Sequence, residues 1–159
     1  MDQTLRQIAH YASNFTFSNL PSDVIIDCKK RLVDVIACAV AAYYKKPCAI
    51  ARHMAMQHAP LPQAQLIGTT HFSSLEMVAF ANGVMIRYLD GADTYPGGGG
   101  HGSDCWAGIL AVAQFNKSTF QETITAVTLA YEIFIICFNR AIFVSMVWTM
   151  FCMPRWGQQ

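Results

Sequence analysis

Residues 24–44 read VIIDCKKRLVDVIACAVAAYY, a stretch in which apolar side chains recur every three or four positions. This spacing places them on one face of an α-helix, because 3.6 residues complete a turn. Charged side chains occupy the other face, at Asp27, Lys30, Arg31 and Asp34. The stretch therefore predicts a helix, Val24–Tyr44, whose apolar face packs on a core. Pro21 with Ser22 or Asp23 as a cap marks its start, and Lys45-Lys46-Pro47 marks its end.

Helical signals continue on both sides of this stretch. They predict a short helix around Ile8, Tyr11 and Phe15, and further helices over Ala49–His58, from Ser73 to Leu89, from Ser103 to Phe115, and from Ser118 onward. No segment alternates polar and apolar residues long enough to predict a strand, and the four glycines at 97–100 predict a loop. The predicted fold class is all-α, in a single domain.

The composition excludes several classes of protein. Hydrophobic residues make up 53% of the chain and charged residues 13%, so intrinsic disorder is excluded. The formal net charge is +1 and Lys and Arg do not cluster, so no nucleic-acid partner is predicted. The longest apolar run, 141–153, is shorter than the roughly 20 residues that span a bilayer, so no membrane partner is predicted. An apolar excess with so little charge also indicates a surface that another part or subunit covers.

The cysteines and the amino terminus predict a cytoplasmic protein. Six cysteines are widely spaced without a Cys-x-x-Cys element, which is typical of reduced, buried thiols. The first thirteen residues lack the continuous apolar segment of a signal peptide. His53 and His58 are five residues apart, which does not suit a helical zinc pair, and no metal site is predicted.

The candidate catalytic and substrate-binding residues lie between 82 and 104. Asp90 and Asp93 are three residues apart, so on a continuing helix they share a face and their repulsion raises the pKa of one of them. His101 is a candidate acid or base, and the backbone amides of 102–104 are candidates to hold a carboxylate. The alternative is purely structural: solvated helix-end carboxylates, a Ser103 cap and a loop histidine.

Several short motifs resemble one enzyme family. They are Leu-Pro-x-x-Val at 20–24, Arg-Leu-Val-Asp at 31–34, Phe-Ala-Asn-Gly at 80–83, Tyr-Leu-Asp at 88–90 with Asp-Thr at 93–94, Gly-His-x-Ser-Asp at 100–104, and Ala-Tyr-Glu at 130–132. Together they resemble the MmgE/PrpD family, in particular its 2-methylcitrate dehydratase branch.

The resemblance implies a helical domain joined to a smaller lid domain, with the substrate pocket between them. It implies a lyase without a cofactor that dehydrates 2-methylcitrate in propionate catabolism or acts on a related tricarboxylate such as cis-aconitate, and full-length relatives that are homodimers. Asp90, Thr94 and His101 match positions that line the family's pocket. On this basis the predicted site comprises catalytic His101 and Asp90, and substrate-binding Asp93, Thr94, Ser103 and Asp104.

The sequence also departs from the family pattern. Gly91 and Ala92 replace an aromatic and a polar residue, and Gly102 replaces a proline, which predicts a looser loop and weaker catalysis. The domain prediction is an N-terminal part of the helical domain over 1–132 and a divergent apolar tail over 133–159. When the codons that can encode 146–154 are read in a shifted frame, they permit a segment like that of the family. The hypothesis is therefore that a frameshift between 133 and 146 replaced the family-like continuation. The chain is then predicted to be truncated and inactive. The alternative function is a non-catalytic helical interaction protein, and a third possibility is a membrane-associated helix at the C-terminus.

Overall fold

A computed structural model of the chain describes residues 2–57, 62–96 and 100–152, and the side chains of the last range as far as residue 139. These residues form six α-helices, two 3₁₀ helices and a pair of two-residue strands. In chain order they are α1 (Gln3–Asn14), a 3₁₀ helix (Phe17–Asn19), α2 (Ser22–Ala41), α3 (Lys46–Gln57), β1 (Ala64–Gln65), β2 (Phe72–Ser73), α4 (Leu75–Arg87), a second 3₁₀ helix (Gly102–Cys105), α5 (Trp106–Asn116) and α6 (Phe120–Cys152). The predicted mostly helical fold is confirmed.

Helix α4 is the centre of the fold, and it packs against α2, α3 and α5. Its apolar side chains belong to two hydrophobic core clusters. Met85 and Ile86 pack in a cluster with residues of α2, α5 and α6, while Val78 and Ala81 pack in a second cluster with residues of α3 and β1. Gly83 lies against α5, and a Cβ there would make an ordinary contact of 3.6 Å with that of Ala107. The loop that follows α4 is therefore attached to the most buried element of the described structure.

The predicted helix Val24–Tyr44 exists as α2, but both predicted ends need correction. Its N-cap is Pro21, and no side chain caps the helix, so Ser22 and Asp23 do not have the predicted role. Its last residue is Ala41 rather than Tyr44. Pro47 does not end α2; it lies in the first turn of α3, where a missing backbone N–H costs nothing because that N–H has no intrahelical partner.

The predicted helix Ala49–His58 is α3, which begins three residues earlier and ends at Gln57; His58 lies outside the described residues. The prediction of no strand missed the antiparallel pair β1–β2, in which Ala64 faces Ser73. Two residues per strand are too few to show an alternating pattern in the sequence. The glycine loop was predicted at 97–100, and 97–99 also lie outside the described residues.

The start of α4 follows the prediction, and its end does not. Ser74 caps the helix by accepting a hydrogen bond from the backbone N–H of Met77. The helix ends at Arg87, before Asp90, whose φ of 53° lies in the left-handed region that aspartate tolerates better than most residues. Asp90 and Asp93 therefore lie in a loop and do not share a helical face, contrary to the prediction.

Helix α5 begins at Trp106, because the predicted start at Ser103 is a 3₁₀ helix over Gly102–Cys105. Helix α6 opens where predicted, with Thr119 and Glu122 forming reciprocal hydrogen bonds of a capping box. It packs on α2, α5 and the second 3₁₀ helix.

The tail beyond residue 132 continues α6 as far as Cys152. The side chains beyond residue 139 and the whole of 153–159 lie outside the described residues, so the divergent tail of 133–159 stays a prediction. Within the described part, Phe120–Asn139 is the one segment that is long and apolar enough to cross a membrane by length and composition. Core helices of soluble proteins meet the same criterion, so the absence of a membrane partner also stays a prediction.

Candidate functional site

Asp93 is the centre of a polar cluster that joins α2, the loop after α4, and α6. Its Oδ1 accepts a hydrogen bond from the backbone N–H of Ser103 at 2.9 Å. Its Oδ2 accepts one from the hydroxyl of Tyr131 at 2.8 Å and forms an ion pair with Arg31. We call Arg31, Asp93, Trp106 and Tyr131 the inner cluster. Both carboxylate oxygens of Asp93 are thus already engaged by the protein itself.

Tyr131 connects the inner cluster to the core. The indole N–H of Trp106, which is 1% exposed, donates to the Tyr131 hydroxyl at 3.2 Å. The guanidinium of Arg31 lies over the Tyr131 ring, 5.3 Å from its centroid, a distance at which cation–π attraction operates. The ring itself occupies the space beside Gly102, where any Cβ would overlap it. Gly102 was predicted to loosen the loop; instead, the lack of a side chain lets Tyr131 pack against the loop.

The pKa shifts follow from these contacts. Burial raises the pKa of Asp93, but the hydrogen bonds from Tyr131 and Ser103 and the charge of Arg31 outweigh burial, so the pKa lies below its usual value. The pKa of Tyr131 is raised, first by burial and then by its hydrogen bond to the Asp93 carboxylate. Asp93 is therefore ionised and Tyr131 is neutral at pH 7.

His101 lies beside the inner cluster and is held by the backbone. Its Nδ1 is 2.7 Å from the carbonyl oxygen of Asp93 and 3.5 Å from the hydroxyl oxygen of Thr94. A carbonyl oxygen only accepts hydrogen bonds, so Nδ1 carries the proton and donates it. In the neutral ring this leaves Nε2 as the unprotonated nitrogen, which is the state of a general base.

A second group, which we call the outer cluster, consists of Arg87, Asp90 and Asp104. Arg87 forms an ion pair with Asp90, and its Nε lies 3.6 Å from Oδ1 of Asp104. The hydrogen bond and charge of Arg87 lower the pKa of Asp90, and the nearby His101 lowers it further. The prediction that repulsion between Asp90 and Asp93 raises a pKa is wrong, because each carboxylate pairs with its own arginine.

A cavity of about 250 Å³ adjoins the outer cluster and is lined by Gly83, Ile86, Arg87, Ser103, Asp104 and Ala107. Two of the three amides in the predicted cradle at 102–104 are already engaged within the protein. The N–H of Ser103 is taken by Asp93, and the N–H of Asp104 donates to the carbonyl oxygen of His101 at 3.3 Å. Ser103 is also 1% exposed, so its hydroxyl is enclosed by the protein.

The structure thus brings all six predicted residues into one loop region, but in two sets. Asp93, Thr94, His101 and Ser103 are joined by hydrogen bonds, whereas Asp90 and Asp104 lie with Arg87 nearer the solvent. The sequence prediction gave no role to four residues of the clusters: Arg31, Arg87, Trp106 and Tyr131. Arg31 and Tyr131 lie in motifs that resemble the family, and this resemblance was the one signal in the sequence that could have indicated a role for them. In the described part of the chain, no group of three or more His, Cys, Asp or Glu residues is placed to hold a metal ion.

Comparison with known proteins identifies the family. The model of the MmgE/PrpD N-terminal domain matches residues 6–149, which include both clusters and most of α6. No solved structure matches the chain significantly. The family match spans most of the 159 residues and agrees with the motifs and with the mostly helical fold. The chain belongs to the MmgE/PrpD family.

Proposed function

We propose that this chain contributes the helical-domain side of a lyase site that dehydrates a tricarboxylate such as 2-methylcitrate, with His101 transferring the proton. Family membership supports a lyase-like role at the coarse level. The observation that carries the finer proposal is the 2.7 Å contact between His101 Nδ1 and the Asp93 carbonyl, which leaves Nε2 available. No cofactor takes part in the proposed reaction.

Dehydration of such a substrate breaks two bonds. A base removes a proton from a carbon next to a carboxylate, and the hydroxyl on the neighbouring carbon leaves as water after it receives a proton. In the proposal, Nε2 of His101 takes the carbon-bound proton, and the ring becomes an imidazolium. The imidazolium then gives that proton to the departing hydroxyl, so water leaves and the neutral ring is restored. Asp90 stays ionised because Arg87 lowers its pKa, so its negative charge stabilises the imidazolium that forms.

The other predicted residues receive different roles from one another. Asp93 acts as a positioning residue, because both of its oxygens are engaged and its carbonyl orients His101. Thr94, exposed beside His101, is the proposed hydroxyl contact for a substrate carboxylate. Ser103 supports Asp93 through its backbone, and Asp104 orients Arg87, the cation of the cavity wall that faces a substrate carboxylate.

The test is turnover of 2-methylcitrate by the purified chain, followed through the ultraviolet absorbance of the conjugated product. We expect His101→Gln to lower the rate about 100-fold or more, because proton transfer by a positioned group contributes about 10²–10⁴-fold. His71→Gln is the matched control, since His71 is exposed and lies outside both clusters. Equal rates for the two variants would reject the proposed role of His101. No turnover by any of the three proteins would agree with the prediction from the sequence that the chain by itself is inactive.

A specific surface favours the alternative of a helical interaction protein. The outer side of α2 exposes Ile26, Val33 and Val40, seven residues apart, and the turn after it exposes 92% of Tyr44. Residues at this spacing form one stripe along a helix. We propose that a second copy of the chain covers this stripe. Asp23 and Asp27 near the start of α2, and Lys45 and Lys46 after its end, provide opposite charges for antiparallel pairing.

Analytical ultracentrifugation of the chain tests this pairing. A dimer that Val33→Glu converts to a monomer supports it, because a charge in the middle of the stripe is buried without a partner. Arg6→Glu is the control, since Arg6 is exposed on α1 and lies outside the stripe. A monomeric wild-type chain contradicts it. Cytoplasmic localisation is proposed on the cysteines, because the five whose side chains the structure describes are all free thiols.

A further inference from the structure

Arg52 is a charged side chain in an apolar setting, away from both clusters. It lies on α3, is 7% exposed, and stacks on the ring of Tyr43 with its Cζ 3.7 Å from the centroid. Its Nη1 donates to the sulfur of Met85 at 3.2 Å. A thioether is a weak acceptor, and a guanidinium has five N–H donors. Arg52 forms no ion pair within the described residues.

The setting of Arg52 is held in place by its neighbours. Gly68 has a φ of 76°, and a Cβ there would lie 2.8 Å from Cε2 of Tyr43, so glycine allows the loop to close on the tyrosine ring. Tyr43 in turn supports the guanidinium. The side chain is therefore fixed before any ligand arrives, which lowers the entropy cost of binding.

The surrounding sequence is short of negative charge. Residues 35–75 contain Lys45, Lys46 and Arg52 but no Asp or Glu. All ten acidic residues of the chain lie among the described residues, outside this segment. A largely buried arginine is costly unless an anion pairs with it, and arginine rarely occurs at such burial without a partner. The segment lacks the carboxylate that would supply this pairing.

We propose that Arg52, fixed on Tyr43, is a binding site for a small oxyanion, a phosphate or carboxylate group that reaches the guanidinium through its exposed fraction. A guanidinium binds two oxygens of such a group at once, which a lysine ammonium does not do in the same geometry. Lys45 and Lys46, exposed at the start of α3, add attraction for an anion. The proposal does not depend on the lyase activity.

The test is thermal unfolding of the intact chain in sodium phosphate, sodium succinate and sodium chloride at one ionic strength. We expect phosphate or succinate to raise Tm by about 3 °C over chloride, because a ligand that binds only the folded state stabilises it. Arg52→Met should abolish this rise. In chloride it should unfold at the same temperature as the wild type or higher, because it removes a buried unpaired charge.

Two further variants keep the outcome unambiguous. Arg6→Met removes the same charge from the exposed surface of α1 and should keep the full rise. Arg52→Lys keeps the charge but loses the planar fork, and should reduce the rise. A rise in phosphate alone identifies a phosphate ligand, and a rise in succinate alone identifies a carboxylate ligand. No rise in either salt, or a full rise in Arg52→Met, overturns the proposal.

Discussion

The inner and outer clusters each pair an aspartate with an arginine, yet their surroundings differ. The side chain of Asp93 is 17% exposed, and that of Asp90, three residues earlier, is 73% exposed. Asp93 has three donors, from α2, the second 3₁₀ helix and α6, whereas Asp90 pairs with Arg87, three residues before it in the chain. The same residue type thus joins distant elements in one place and forms a local surface pair in the other.

This difference predicts that the inner cluster stabilises the fold and that the outer cluster contributes to catalysis. Removing one partner of an ion pair that is partly buried and hydrogen-bonded lowers the stability of the fold strongly, because the other charge stays buried without a partner. An exposed pair contributes little, because water and salt screen it. We therefore expect substitutions in the inner cluster to destabilise the chain, and substitutions in the outer cluster to leave its stability unchanged while they affect catalysis.

The largest expected effect is that of Arg31→Gln. It leaves the Asp93 carboxylate without its cation, and we expect a loss of about 2–3 kcal/mol in the free energy of unfolding, less than for a fully buried pair because Arg31 is partly exposed. Urea unfolding followed by circular dichroism measures it. Arg6→Gln is the control, and an equal loss in the two variants would contradict the role of the inner cluster.

Gly102→Ala is expected to cost about 1–2 kcal/mol, because the new Cβ overlaps the ring of Tyr131 and the loop must shift. Gly108→Ala is the matched control. Gly108 lies in α5 with open space around its Cβ position, so alanine there should be neutral or stabilising. If both variants unfold at the same urea concentration, the close packing of Tyr131 on the loop is not present in solution.

Tyr131→Phe removes one hydroxyl that donates to Asp93 and accepts from Trp106. We expect a loss of about 1 kcal/mol, since two buried polar groups lose a partner while the ring still packs. Tyr88→Phe, at an exposed tyrosine, serves as the control. If Tyr131→Phe is as stable as the wild type, the Tyr131 hydroxyl does not stabilise the inner cluster.

The pH dependence of stability provides a weaker effect with a definite sign. The pKa of Asp93 in the folded chain lies below its ordinary value of 3.8, so the folded state favours the ionised form. The resulting stabilisation is present above the unfolded pKa and is lost as pH falls through that value toward the folded pKa. Urea midpoints from pH 6 to pH 3 should fall less steeply in Asp93→Asn than in the wild type. Parallel slopes would contradict the assignment.

The smallest expected effect on stability is that of Arg87→Gln, in the outer cluster. Its partner Asp90 is exposed, and we expect no measurable change in Tm. The turnover assay should instead show a raised KM for 2-methylcitrate, because Arg87 is the proposed contact for a substrate carboxylate. A large drop in Tm would place Arg87 among the structural residues.

Local patterns in the sequence predicted much of the fold and the location of the site. The periodic apolar residues of 24–44 predicted α2, the helix predicted from Ser73 begins within two residues of that position as α4, and the polar residues of 90–104 do meet in one region. Such features depend on neighbours within a few residues, which a single sequence displays.

Contacts between distant residues were not predictable in this way. Arg31 and Tyr131 are 62 and 38 residues from Asp93, and no local pattern indicates that they meet it. For the same reason the substitution of glycine at 102 was interpreted as added flexibility, although the ring of Tyr131 fills the space. The end of α4 before Asp90 was also missed, because its residues remain good helix formers up to Leu89.

The most direct test of this division of roles is a pair of urea titrations on Asp93→Asn and Asp90→Asn. The two substitutions are identical in chemistry and three residues apart, so the surroundings alone distinguish them. The predicted result is a clearly lower urea midpoint for Asp93→Asn and an unchanged midpoint for Asp90→Asn. Equal midpoints, or a larger loss in Asp90→Asn, would contradict it.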